Sequence, residues 1–397
     1  MNCRRPVARS AAALAGAAAL AVALTPVAAS AAPPPGKGTP LTVMTRNVYL
    51  GGDITRPLRP APAGVPGLIA LANQNYELRR VVGLTDFPTR AKLLAAEVED
   101  TRPDMIGLQE VAIWRRGPIE LDPKTDAEGR VVPNATTVDD DFLASLLSEL
   151  RQAGTPYDVV DVQAESDVEG PAFTGSNPFA ADSGAADIRL TMHDVLLKRA
   201  GGKVKVEASG GDQYAAVLPF QLGGKKYEFI RGYNWADVRI GAKHLRVLNT
   251  HLESQLSSFA LLQARELVAT QVLPAGKPVV LTCDCNSDPL DTSTKAGEPI
   301  AGVKHQDPYR FLTSVLQDAW LASGTTDPGF TSGLNETVDE PAPGSFDHRI
   351  DLVLTRGVDG ARVAVDQPVL VGADPAERSA SGLWPSDHAG VVVRLRP

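Results

Sequence analysis

Short apolar runs of strand type recur from Leu41 to the end of the chain, with helical stretches between only some of them, and no other feature constrains the fold as much. The runs are LTVMTRNV (41–48), MIGLQEV (105–111), YDVVDVQ, HDVLLKR, YEFIRGYNWADVRI, HLRVLNTH, PVVLTCD, IDLVLTR, ARVAVDQPVLV and AGVVVRLR. Three stretches carry helical spacing instead. TRAKLLAAEVED (89–100) has Pro103 just beyond it. DDDFLASLLSELRQAG (139–154) opens with acids, places Leu143, Leu146, Leu147 and Leu150 on one face and stops at Gly154. SSFALLQARELVATQVL spans 257–273. Many strands with helices between them predict an α/β (α+β) domain, either two sheets or one large mixed sheet covered by helices. No repeat or Gly/Ser linker divides the chain, so residues 41–397 read as a single domain. Residues 51–68, rich in Gly and Pro, and 164–187, with Phe173 and Phe179 among small polar residues, read as surface loops.

The segment before this domain has a different character. MNCRRPVARS carries Arg4, Arg5 and Arg9, a small-apolar run follows, and Ala29-Ser30-Ala31 fits a small-x-small cleavage site. This is the pattern of a secretory signal peptide over 1–31, too short for a membrane span, with a disordered Pro/Gly-rich N-terminus over 32–40 and an extracellular destination. Losing those three arginines takes the formal charge from −8 to −11. A chain that acidic has no overall attraction to nucleic acid or anionic membrane, although a local basic groove remains compatible with it. Beyond residue 31 only Cys283 and Cys285 remain. On a regular strand, residues two apart sit too far from each other for a disulfide, and no second pair completes a zinc site, so the two sulfurs are expected to pack.

Polar residues of a restricted kind stand at the ends of the apolar runs: Asn47, Glu110, His251, Asp284 with Asn286, Asp351, and Asp387-His388. Strand ends are where a rigid sheet delivers side chains into a cleft. Each residue alone has an ordinary explanation as a turn former, a cap or a satisfied histidine. Together they suit one task. Hydrolysis of a phosphate ester needs a hard cation held by oxygen, a base for water, and donors for charge growing on phosphate oxygens. Glu110 and Asp387 could hold Mg²⁺, Asp351 could orient His388 as general base, and Asn47, Asn286 and His251 could face the phosphate. Asp284 and Asn286, two apart at a strand end, would face the same side.

RNVYLGGD, LQEV, NTHLES, CDCNSDP, RIDLVL and SDHAG, in this order, resemble the successive motifs of the endonuclease/exonuclease/phosphatase superfamily, over about residues 41–397. The resemblance, nearest to the deoxyribonuclease I-like members, implies a four-layered sandwich of two mixed β-sheets flanked by helices. It also implies a metal (Mg²⁺, or Ca²⁺ or Mn²⁺) held by Glu110 with Asn47 beside it and Asp387 nearby. His388 would activate water with Asp351 as its partner. Asp284 and Asn286 would orient the nucleophile and bind the scissile phosphate, and His251 would be a proton donor or transition-state stabiliser. Arg231, placed by strand register, and Asn47 would contact substrate. The chain departs from the family where Cys283 and Cys285 flank Asp284, where YLGGD follows Asn47, and in the roughly sixty residues from Asn47 to Glu110.

The resulting expectation is a secreted, divalent-metal-dependent phosphodiester hydrolase of nuclease type, acting on nucleic acid or a phospholipid headgroup, with no stable protein partner and no transmembrane segment. A sphingomyelinase-like phospholipase C and a phosphomonoesterase of the same superfamily are the alternatives. For the latter, Lys225, Lys226 and Arg231 supply a thin basic pocket. A binding protein on a dead enzyme scaffold would lack a central residue, and none is missing. HExxH and G-x-S-x-G are both absent from the sequence.

Overall fold

A computed structural model of the chain describes residues 39–222, 224–341 and 345–397. The expected signal peptide and almost all of the 32–40 segment lie outside the described residues. The elements in order are β1 (Leu41–Asn47), α1 (Val65–Leu84), α2 (Phe87–Thr101), β2 (Met105–Gly117), β3 (Thr137–Asp141), α3 (Phe142–Gln152), β4 (Tyr157–Ala172), β5 (Ala186–Arg199) and β6 (Lys205–Gln213). There follow β7 (Leu218–Leu222), β8 (Lys225–Phe229), β9 (Gly232–Ile240), β10 (Lys243–His251), α4 (Ser257–Leu267), β11 (Val279–Asp284) and α5 (Asp307–Thr313). The last are β12 (Gln317–Asp318), α6 (Ala319–Ala322), β13 (Asp351–Arg356), β14 (Ala364–Val365), β15 (Val369–Val371) and β16 (Gly390–Arg396).

Two mixed sheets form the centre. One runs β14-β16-β1-β2-β5-β4, with β15 on β16 and β3 on β2, and the other runs β12-β13-β11-β10-β9-β6. β1 pairs parallel with β2, and β10 with β11. Strands buried on both faces read as near-continuous apolar runs, and β11 (VVLTCD) has every residue buried. Val43, Met105, Val238, Val247, Val280 and Val393 belong to one buried cluster between the sheets. A second cluster packs residues of α2 and α3 on the first sheet through Leu94, Val98, Leu146 and Leu150, and a third packs α4 and α5 on the second through Leu267 and Leu312. The result is the four-layered α/β sandwich that the family motifs imply, and of the two arrangements open to the strand pattern it is the two-sheet one.

The helices follow their sequence signals. Asp86 caps α2 by accepting from Thr89 N, and Asp141 caps α3 by accepting from Ala144 N. Burying Leu146 and Leu150 contributes roughly 1.5–3 kcal/mol each to docking α3.

The structure differs from the sequence reading at several points. Residues 139–141 are not the first turn of α3; they pair with β2 as β3. The 51–68 segment ends in the first turn of α1, a twenty-residue helix that the pattern of apolar runs does not reveal. Residues 164–172 are not loop but the second half of β4, paired with β5. YEFIRGYNWADVRI is two strands, β8 and β9, in different sheets. Cys283 and Cys285 do not merely pack; they form a disulfide, although both are also fully buried. The strand argument fails because the chain leaves β geometry here. Asn286 has φ 45°, and the two cysteine Cα atoms approach to 5.2 Å.

Candidate active site

Strand register assembles the site. β10, β11 and β13 are adjacent, with His251 opposite Asp284 and Asp284 opposite Asp351, so three functional side chains stand in one row across the second sheet. In the first sheet Asn47 ends β1 and lies opposite Gln109 of β2. Glu110 follows, and it is not at a strand end as the sequence suggests. It sits within β2 at a bulge between Leu108 and Val111 that interrupts the pairing with β5. Glu110 has φ 60°, a conformation costing on the order of 1 kcal/mol for a side chain of this kind. Leu50 N–H donates to its Oε2 at 2.9 Å, which holds the carboxylate at the pocket.

Asp284 joins the two sheets. Its Oδ2 accepts from Asn47 Nδ2 at 2.9 Å and lies 3.4 Å from His251 Nε2, while its Oδ1 accepts from the Asn286 backbone N–H. His388 Nδ1 donates to Asp351 Oδ2 at 2.7 Å, leaving Nε2 free at 3.8 Å from Asp387 Oδ1. Asn286 is turned by its left-handed backbone, and its Nδ2 donates to Leu252 O at 2.9 Å. Asn47 is engaged at both ends, its Oδ1 accepting from Tyr49 N–H. Glu110, Asp387 and Arg231 line one open pocket of about 320 Å³, together with Tyr49, Asp53, Phe229 and Glu336.

Burial dominates the electrostatics. It pushes the Asp284 carboxyl up to about 7, with Asp351 adding and His388 and Asn47 opposing. Asp387 rises to about 6 through burial and the nearby Glu110 charge, against His388. Burial works to lower His388, but Asp351, Asp387 and Asp284 outweigh it and hold the imidazole well above its usual value. His251 lies well below, through burial, Arg231 and His388.

Asp284, Asp351 and His388 converge within 4.8 Å, as do Glu165, Asp194 and His251. Each group already has its own donor at the centre, His388 Nδ1–H in the first and the Arg231 guanidinium in the second. The open pair of carboxylates is Glu110 and Asp387.

Sequence patterning misses the scaffold beneath these residues. Arg90 of α2 is fully buried and donates to the carbonyls of Thr85, Val48, Tyr49 and Pro385, tying both site-forming loops to one cation. Burial lowers it to about 10. Arg46 forms a two-pronged pair with Glu97 and also donates to the His388 carbonyl. Trp114 Nε1 donates to Leu50 O at 2.8 Å, behind the Leu50 N–H that holds Glu110. Amphipathic helix patterning assigns such charges to solvent; the only signal is that Arg90 and Glu97 fall on the apolar side of α2. Asp318 is structural: it bonds Arg349 and Tyr309 and caps α6.

Residues 82–388 match the Endonuclease/Exonuclease/phosphatase family, and the chain belongs to it. It is a phosphoesterase of that family, a hydrolase of phosphate ester bonds. Among solved structures, a family protein from Bacteroides thetaiotaomicron is similar at 16% identity over 91% of this chain and 98% of that one, with a TM-score of 0.51. A mannosyl-6-phosphatase from Bacteroides thetaiotaomicron VPI-5482 is 17% identical over 89% and 99%, TM-score 0.47. Truncated Caenorhabditis elegans TDP2 is 16% identical over 90% and 98%, TM-score 0.44. At these identities the first likeness bears on the fold alone. No curated protein sequence matches the chain.

Proposed function

We propose that the chain is a divalent-metal-dependent phosphodiesterase of nuclease type, with His388 as the base that activates water. The supporting observation is the Asp351–His388 pair. Asp351 accepts a hydrogen bond from Nδ1–H, so the neutral ring offers Nε2 as its basic nitrogen, beside the Asp387 carboxylate that lines the pocket with Glu110. Attack by water transfers its proton to Nε2, forms the new P–O bond and breaks the ester P–O bond, the leaving oxygen departing with that bond's electron pair. Asp284, held by Asn47, orients the reacting centre, and Asn286 is the nearby donor for phosphate.

The donor set fits a hard cation. Two carboxylates crowd one pocket, and their mutual repulsion helps raise Asp387, while Arg90 is committed to carbonyls and Arg231 to Glu165 and His251. Glu110 and Asp387, with the second lone pair of Asn47 Oδ1, would hold Mg²⁺ (or Ca²⁺ or Mn²⁺). When bound, the ion supplies Lewis-acid stabilisation of phosphate charge.

One observation favours the phospholipase C alternative. An apolar cavity of about 60 Å³ shares Ile54, Met192 and Phe229 with the site pocket. Its polar wall groups are already satisfied: Glu169 accepts from Asn134 and Ala135 N–H, Asn75 donates to Pro171 O, and Ser166 to Ile230 O. It therefore offers little to water and suits an apolar substituent on the phosphate. The acids Asp53, Glu110, Glu336 and Asp387 also leave the pocket poor in free cations for a polyanion. Action outside the cytosol is part of the proposal, supported by the leader-like N-terminal sequence and by the Cys283–Cys285 disulfide.

The test is hydrolysis of bis(p-nitrophenyl) phosphate and p-nitrophenyl phosphate with and without Mg²⁺, followed by supercoiled plasmid and sphingomyelin vesicles. Metal-dependent diester cleavage lost in His388→Ala is expected. Cleavage of the monoester alone would overturn the diesterase assignment, and vesicle turnover without plasmid nicking would replace the nuclease reading by the lipase one.

A further inference from the structure

Arg231 has a bonding pattern that the phosphate-contact expectation does not explain. It lies almost wholly buried, and its Nη1 is 2.9 Å from His251 Nδ1 and 3.2 Å from Glu165 Oε2. A guanidinium has five N–H donors, no acceptor, and does not lose its proton in proteins. Nδ1 of His251 must therefore be the acceptor and carry no proton. The ring's one proton then sits on Nε2, the nitrogen 3.4 Å from Asp284 Oδ2. We propose that Arg231 is a positioning residue that fixes His251 as the neutral, Nε2-protonated imidazole, so that His251 stabilises charge on the reacting phosphate as a hydrogen-bond donor and does not protonate the leaving oxygen.

The surroundings are built for this. Glu165, which Arg231 and the Gly232 N–H engage, lies beside Asp194, and neither Asp194 oxygen receives a hydrogen bond from an amide, hydroxyl or cationic donor among the described residues. Two buried carboxyls that close cannot both ionise, so the pair keeps one proton. The pair thus presents one negative charge to one guanidinium, and the cation stays in place beside the histidine. Burial and Glu165 hold Asp194 well above the usual carboxylate range, in agreement. The groups facing His251 are Glu165, Asp194, Arg231, Asp284 and His388. The first two supply a single charge through their shared proton, and Arg231 and His388 both oppose a second cation on His251. Proton transfer from a neutral imidazole would leave an imidazolate, a strongly basic anion whose charge Arg231, already paired with Glu165, offsets only in part. The Nε2–H therefore remains a donor throughout.

The inference rests on the phosphodiesterase proposal for its catalytic meaning, but the tautomer is measurable without activity. Protein labelled with ¹⁵N in histidine, read by two-bond ¹H–¹⁵N correlation between about pH 5 and 8, is expected to show His251 as the Nε2–H tautomer throughout. An imidazolium, or an Nδ1–H tautomer, would overturn the proposal without bearing on the diesterase assignment. In Arg231→Met, folded by the criterion of unchanged His388 signals, His251 is expected to titrate at higher pH than in the wild type. Its kcat should fall about 10- to 100-fold with KM little changed, and Arg231→Lys should restore the tautomer. A rise in KM at unchanged kcat would make Arg231 a ground-state phosphate clamp and refute the positioning role.

Discussion

Replacing Asp351 by Asn tests the chemistry most informatively, because it removes one charge and little volume. Asp351 is fully buried and its Oδ2 accepts the His388 Nδ1 proton at 2.7 Å. An amide here either accepts through its oxygen or presents its NH₂. The second orientation moves the imidazole proton to Nε2, where a base must be vacant. General-base catalysis contributes about 10²–10⁴ in rate, or about 2.7–5.4 kcal/mol of barrier. We expect kcat for bis(p-nitrophenyl) phosphate to fall at least about 100-fold at saturating metal. The pH dependence carries a second signature. His388 acts as base only when neutral, and its affinity for a proton is held well above the usual value, against burial, chiefly by Asp351. Wild-type activity should therefore climb with pH through a limb above the ordinary histidine value of about 6.5, and in Asp351→Asn that limb should move to lower pH. The same shift has a stability sign. A raised folded-state pKa contributes stability that is complete below about pH 6.5 and is lost as pH rises through the folded value. The wild type's advantage over the variant in urea should accordingly shrink towards alkaline pH. A folded variant with kcat within about threefold of wild type, or with an unmoved limb, would refute the pairing's role.

Glu110→Gln should raise the Mg²⁺ concentration for half-maximal activity by about tenfold or more, measured by metal titration; an unchanged requirement would remove Glu110 from the ligand set. Gly107→Ala should cost about 1–3 kcal/mol in urea unfolding, since a Cβ there would lie 2.2 Å from Thr282 Oγ1 and 2.4 Å from Asn249 Oδ1 between the sheets. Arg90→Leu should destabilise by about 3 kcal/mol or more, because four buried carbonyls lose a charged donor; calorimetry decides. Reduction of Cys283–Cys285, confirmed by intact mass, should cost no more than about 1.6 kcal/mol because the loop it closes is very short, and should leave diester hydrolysis intact.

What the sequence makes legible follows from range. Asn47, His251, Asp284 and Asp351 stand out because each is a polar residue at the boundary of an apolar strand, and the sheet then aligns them by register alone. Glu110 is visible as a residue, but its placement depends on a bulge created by pairing with β5 some eighty positions later. The buried charges are hidden for the same reason. Arg46 and Glu97 are fifty-one positions apart, and Arg90 reaches Pro385 across 295, so beyond the apolar side of α2 on which Arg90 and Glu97 fall, no local pattern distinguishes them from solvated charges. β4 escapes because its second half, AESDVEGPA, carries acids: Glu165 and Glu169 are buried by partners on distant strands and loops. The disulfide escapes because β11 ends at Asp284, so Cys285 lies outside the regular strand on which the spacing argument depends.

The central claim is that two carboxylates from different parts of the chain hold one cation beside the His388–Asp351 pair. Crystals soaked in Mn²⁺ and measured at the manganese edge test it directly. The account requires an anomalous peak bonded to both Glu110 and Asp387, and lost in Glu110→Gln. A peak seated among Asp284, Asp351 and His388, or none at millimolar Mn²⁺, would contradict it.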